Sequence, residues 1–213
     1  MKIKWLGHAS FLITTDAGIR IITDPYLPGR GLNYAEINES ADIVTTSHDH
    51  YDHNNAAVVK GNPEVVKSDT EAKGIKFRGI ATYHDNEQGN QRGNNIVICF
   101  EIDGIRTCHL GDLGHPLNPE QVSRIGAVDV LLIPVGGHFT IDAKVASQVY
   151  DQLKPSVAIP MHFKNERCDF PITGVDDFLQ GKGNVNRLDT SETEFTKANL
   201  PAKSRIIVLK PAL

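Results

Sequence analysis

Residues 48 to 53 read His-Asp-His-Tyr-Asp-His, and five of these six side chains offer an oxygen or nitrogen to a divalent metal. A histidine-rich turn on a surface arises by chance in many chains, but the setting of this one is specific. Residues 41–47, Ala-Asp-Ile-Val-Thr-Thr-Ser, favour a strand that ends where the histidines begin, and residues 54–60 have the pattern of a helix start. The cluster therefore falls on a strand-to-helix connection, where α/β proteins bring side chains together for chemistry. Any fold for this chain has to deliver its strand ends to a metal site.

Imidazole and carboxylate donors suit zinc, manganese or iron. A short turn cannot easily aim His48, His50, Asp52 and His53 at a single ion. Two ions can share them, His48 and His50 serving one, Asp52 and His53 the other.

The 213 residues suffice for one sizeable core and leave little room for a second domain, so a single domain over 1–213 is expected. With 22 basic and 26 acidic residues the formal charge is −4, which provides no field for nucleic acid. Cys99, Cys108 and Cys168 are an odd number without close pairing in sequence and favour reduced thiols. Residues 1–5 open directly in a strand-like pattern without the apolar block of a signal peptide, and no apolar run approaches about 20 residues. A cytoplasmic location and no membrane association are the expectations.

Along the chain, residues 2–6, 10–14 and 19–23 read as a hairpin or meander of strands, stopped by Asp24-Pro25. His8 lies between the first two strands, where a lone histidine is ordinarily a turn residue. Asp24 is either a turn signal or a carboxylate supporting a ligand histidine. Residues 28–33 read as a flexible connection bordering the cleft, with Arg30 more readily a surface residue than an anion contact. Residues 75–83 are β-like and end at His84. The polar stretch 86–95 reads as a mobile loop or a lid, with Arg92 available to an anionic group. Residues 96–102 and 105–109 form a strand-turn-strand hairpin leading to Asp112. A helix is expected over 119–125, a buried strand over 128–135, a helix over 142–153 and a strand over 157–160 delivering His162. Gly136-Gly137 precede His138, and a brief helix over 176–180 and a strand over 204–209 complete the pattern.

The spaced residues His48-x-His50-x-Asp52-His53, after a β-run ending Thr-Thr-Ser, resemble the signature of the metallo-β-lactamase superfamily over almost the whole chain. Gly7-His-Ala-Ser10, Gly111-Asp-Leu-Gly114 and Pro160-Met-His162 are similar to the small metal-dependent hydrolases that include the ascorbate-6-phosphate lactonases. The resemblance implies a four-layer αβ/βα sandwich. It implies that His48, His50 and His84 hold one ion, that Asp52, His53 and His162 hold the other, and that Asp112 bridges them. It places His8 near the mouth of the site, and a glycine-rich loop like that of the related hydrolases puts His138 on the substrate side. His109 stays outside the ligand set.

The function implied is metal-dependent hydrolysis, two ions with zinc leading, acting through metal-bound hydroxide on a small carbonyl substrate such as a lactone or amide. Asp52, Asp112, His138 and His8 are its candidate catalytic residues. Phosphodiester hydrolysis uses the same apparatus, and a metal-dependent interaction or sensor protein is the reading from another class. The partner expected is a small molecule, with homo-oligomerisation left open.

Overall fold

In the computed structural model, which describes residues 1–213, the early β-runs form a sheet with two apolar faces. Strands β1 (Lys2–Gly7), β2 (Ser10–Thr14) and β3 (Arg20–Thr23) pair antiparallel, and β4 (Ile43–Thr45) and β5 (Glu64–Val66) extend them in parallel. Successive side chains on a strand alternate between faces. Ile3, Trp5, Phe11, Ile13, Ile21 and Ile43 accordingly join the main core of 48 buried residues, whereas Leu6, Leu12, Ile22 and Val44 join a separate cluster of 12.

The second sheet has eight strands. β6 (Thr70–Ala72), β7 (Ile75–Tyr83), β8 (Asn94–Ile102) and β9 (Ile105–His109) are antiparallel neighbours; β10 (Val130–Pro134), β11 (Val157–Met161), β14 (Arg205–Val208) and β12 (Val185–Arg187) continue it in parallel. β13 (Glu192–Glu194) returns to the first sheet beside β1, giving the order β13-β1-β2-β3-β4-β5. All five residues of β10 are buried. Leu132→Ala there is expected to cost about 2–5 kcal/mol, read as a lower urea midpoint at unchanged slope.

Three helices pack on this framework. Asn118 accepts from the Gln121 backbone while the Gln121 side chain accepts from the Asn118 backbone, a reciprocal cap that starts α1 (Pro119–Ile125). Asp142 caps α2 (Ala143–Leu153), which ends at left-handed Lys154 before Pro155. α3 spans Val175–Leu179. Ala146, Val149, Leu153 and Phe178 anchor α2 and α3 in the main core. The architecture is the αβ/βα sandwich, two sheets flanked by helices. No helix is long and apolar enough to cross a membrane.

Two local expectations change. The helix over 54–60 is a single 3-10 turn, Ala56–Val58, with no side-chain cap from Asn55 and no buried residue, so nothing offsets the cost of nucleating a longer helix. Tyr26, Leu32, Tyr34, Ile37 and Val59 cover the second apolar face of the six-stranded sheet. The 28–33 connection is tied down: Leu32 is fully buried and bridges Cys168, and Asp169 N donates to Gly31 O at 2.7 Å. The thiols are free, yet Cys99 and Cys108 face each other across β8 and β9 with their sulfurs 3.1 Å apart.

Candidate metal centre

The strand ends of both sheets deliver nitrogen and oxygen donors to one place. From the first sheet come His8 in the β1–β2 turn, Asp24 after β3 and residues 48–53 after β4. From the second come His84 after β7, Asp112 after β9 and His162 after β11. His48, His50 and His84 form one donor group, and His8, Asp52, His53 and His162 another, with the donor atoms of each within 4.8 Å of one another. Asp112 touches both groups: its Oδ2 lies 3.2 Å from His84 Nε2, 3.2 Å from His53 Nε2 and 3.3 Å from His162 Nε2.

Several of these atoms have no use inside the protein alone. His8 Nε2, His53 Nε2 and Asp112 Oδ1 are buried without a hydrogen-bond partner, and such atoms cost about 1–3 kcal/mol each when left unpaired. Their convergence fits a pair of cations, and an all-imidazole-and-carboxylate set suits zinc, manganese or iron.

The charge balance asks for cations too. Burial pushes the His8 imidazole down to about 4 and His48 down to about 3, so both present lone pairs at neutral pH. Burial also opposes charge on His53, but the Asp112, Asp52 and Asp24 carboxylates hold its proton well above the ordinary histidine range. Asp112 is held well below the usual carboxylate range despite burial, by His162 and His53. Ions entering here displace protons from such histidines.

Asp24 organises the ligand turn from behind. Fully buried, it accepts from Ser47 N at 2.8 Å, from Ser47 Oγ at 2.5 Å and from His53 Nδ1 at 2.9 Å. Ser47 Oγ in turn lies 2.9 Å from His48 Nδ1. With each Nδ1–H donating to these partners, His48 aims an Nε2 lone pair forward, and His53 does so once an entering ion displaces its Nε2 proton. His48 Nε2 is 3.1 Å from His50 Nδ1, two ring nitrogens facing a shared position.

Asp112 is set by its own surroundings. Asn95 accepts from Asp112 N at 2.9 Å while its amide donates to Leu110 O and Thr82 Oγ1. Gly111, at φ +56, leaves room that a Cβ would take from Asn95 and Ser47. His109 accepts from Gly111 N at 3.1 Å and reaches Ala9 O at 2.8 Å, tying the Asp112 turn to the first sheet. It supports the centre from outside both donor groups.

His8 and His162 are both left-handed, φ +52 and +51, and their rings lie with centroids 4.1 Å apart, tilted by 43°. The His8 carbonyl accepts from Trp5 Nε1 at 3.0 Å and from His162 N at 3.2 Å, which holds the strained turn in place. His8 Nε2 is 3.3 Å from Asp52 Oδ2, so the structure puts His8 inside a donor group rather than at the mouth.

His138 is not brought to the centre. At φ +61 its exposed side chain turns into a separate depression with Gly137 and Asp142. Phe139 takes the place in the cleft that was expected of His138. The cleft, about 310 Å³, is walled by Tyr51, Phe139 and Phe170, with Arg92 beside them and Asp52, His84, Asp112 and His162 among its lining. A larger depression of about 610 Å³, around Cys99 and Cys108, contains none of the donors. The aromatic walls and Asn95 have no signature in the sequence, and Ser47 enters it only as the end of the Thr-Thr-Ser run.

The 86–95 stretch is not a free loop. Asp85 accepts from the backbone N–H groups of Glu87, Gly89, Gln91 and Arg92, and Gly93 O accepts from His84 N. Burial opposes the Asp85 charge, but those four donors hold its carboxyl down at about 2. A depressed carboxyl stabilises above the unfolded value of about 4 and loses that contribution as pH falls through the folded value. Amide exchange of residues 86–93, taken relative to the intrinsic rate at each pH, should therefore accelerate between about pH 4 and pH 2. Asp85→Asn should accelerate it already at pH 7, and slow exchange in that variant would refute the role of the charge.

The sandwich and its paired donor groups define a metal-dependent hydrolase with a candidate binuclear centre. A family model described as a β-lactamase superfamily domain matches residues 2–162. The chain belongs to the metallo-β-lactamase superfamily. It is 30% identical over 191 residues to a UPF0173 metal-dependent hydrolase of Thermococcus onnurineus, covering 76% of this chain and 84% of that protein. A UPF0173 metal-dependent hydrolase of Pelotomaculum thermopropionicum is 31% identical over 194 residues, with coverages of 76% and 84%. Among solved structures, a proposed zinc-dependent hydrolase of the superfamily from Thermotoga maritima superposes with a TM-score of 0.81 at 40% identity, covering 98% of this chain and 97% of that one.

Proposed function

We propose that this protein hydrolyses a small carbonyl substrate, a lactone or an amide, at two divalent ions with zinc preferred. His48, His50 and His84 hold one ion; Asp52, His53, His162 and His8 hold the second; Asp112 is shared. The observation that carries this reading is Asp112 Oδ2, within 3.3 Å of ring nitrogens from both donor groups at the floor of an open cleft. Bound there, divalent cations supply Lewis acidity toward a carbonyl oxygen and lower the pKa of water. The chain's own part is to fix the ligand tautomers through Asp24 and Ser47, and to shield the reacting face with Tyr51, Phe139 and Phe170.

The lactonase-like branch is supported by its three motifs, since His8, Asp112 and His162 all reach the centre. Residues 1–213 are read as one domain because the main apolar cluster runs from Met1 to Leu209. The free cysteines support a reducing compartment such as the cytoplasm.

The test is turnover of lactones, amides, thioesters and phosphodiesters by metal-reconstituted protein. Lactone or amide hydrolysis is expected. Turnover confined to phosphodiesters, or none on the whole panel, would overturn the carbonyl reading.

A further inference from the structure

Arg92 is a cation without a protein partner beside the centre. Its guanidinium lies 5.5 Å from the centroid of the Phe139 ring and lines the cleft, and it forms no ion pair or side-chain hydrogen bond within the protein. Its backbone, by contrast, is fixed: Arg92 N donates to Asp85 Oδ2 at 2.7 Å. The four-donor turn around Asp85 thus presents the guanidinium on a rigid mount, and stacking on Phe139 restricts the side chain while leaving its N–H fork unsatisfied. A half-buried guanidinium held this way gains most from a planar anion, which it can grip with two parallel hydrogen bonds.

The rest of the cleft specifies what accompanies that anion. Phe139 and Phe170 meet edge to face, with centroids 5.5 Å apart, and Tyr51 forms a further wall. Gly31, at φ +100, lets Phe170 lie against its backbone, since a Cβ there would stand 3.0 Å from the Phe170 ring. Three aromatic walls around one cation favour an apolar, preferably planar, body bearing a negative group.

We propose that the substrate is a small carboxylate or phosphate with an apolar body, and that Arg92 binds its anionic group while the neighbouring bond is hydrolysed. The inference rests on the reading that this cleft receives the substrate, and it deepens that reading by naming the substrate's charge. Arg92 is then a specificity-determining residue outside the metal ligands.

The experiment compares wild type, Arg92→Gln and Arg92→Lys, each loaded with zinc and matched for metal content. Binding is measured by calorimetry with phenylacetate and with its neutral counterpart phenylacetamide. Turnover is measured on the p-nitrophenyl half-ester of glutarate and on p-nitrophenyl pentanoate. Loss of the guanidinium should weaken phenylacetate about tenfold or more and leave phenylacetamide unchanged. KM for the half-ester should rise by a similar factor at constant kcat, with the pentanoate ester unaffected. Lysine should restore part of the affinity, since it keeps charge but lacks the fork. If Arg92→Gln loses metal, Arg92→Lys carries the comparison, with a loss of about two- to fivefold expected.

Equal phenylacetate affinity in wild type and the variant overturns the proposal. Arg92-dependent phenylacetate binding without hydrolysis of either ester leaves the anion site standing and counts against the carbonyl-hydrolase reading. Hydrolysis of both esters without any dependence on Arg92 does the reverse.

Discussion

Asp112→Asn is expected to release at least one ion and to lower kcat/KM by more than about a hundredfold, beyond the 10- to 100-fold typical of residues that merely support a ligand. The substitution keeps the size of the side chain and the hydrogen bond from Asp112 N to Asn95. It removes the charge that sits within 3.3 Å of three imidazoles. Metal stoichiometry, circular dichroism and turnover should be compared at matched metal concentration. Asp129, though outside the centre, is a poor control, because it binds Arg106 and Lys197. The exposed Asp189 is a sounder choice. Retention of both ions and native turnover in Asp112→Asn would exclude the bridging role.

Asp24→Ala is expected to have the second large effect, and it acts through other residues. The change strands Ser47 N and frees the His48 and His53 rings to turn. Removing one partner from a buried charged network costs about 3–5 kcal/mol, and affinity at both metal positions should fall about 10- to 100-fold. Asp24→Asn separates the two consequences. Its amide can donate to His53 Nδ1, which puts the proton on Nε2 and takes away that lone pair while largely preserving packing. Competition titration against a chromophoric zinc chelator, together with urea unfolding of the metal-free proteins, reads both. Unchanged metal affinity in both variants would show that Asp24 does not orient the ligands.

The sequence exposed most of this centre because its donors are close together or stand at strand ends. The 48–53 cluster announces itself, and the alternation in residues 2–23 and 96–109 makes the flanking strands legible. His84, Asp112 and His162 are ordinary residues until a resemblance places them, since their partners lie far away in the chain. His138 illustrates what spacing leaves undetermined: a left-handed backbone at φ +61 exchanges the directions of two neighbouring side chains and brings Phe139 to the cleft instead. The 86–95 stretch looked mobile because its composition is polar, but its order comes from one carboxylate that collects backbone donors. Short exposed strands such as Thr70–Ala72 and Glu192–Glu194 bury too little to leave a pattern.

Neither of the two donor groups that Asp112 touches is complete within one sheet. The first sheet contributes His48 and His50 without His84, and His8, Asp52 and His53 without His162; the second contributes His84, Asp112 and His162 without the turn they face. An ion held by either of these groups would therefore bind at full strength only where the two halves of the sandwich are docked. Such an ion would also tie the two halves together across their seam, so that removing it should weaken the docking of one sheet against the other.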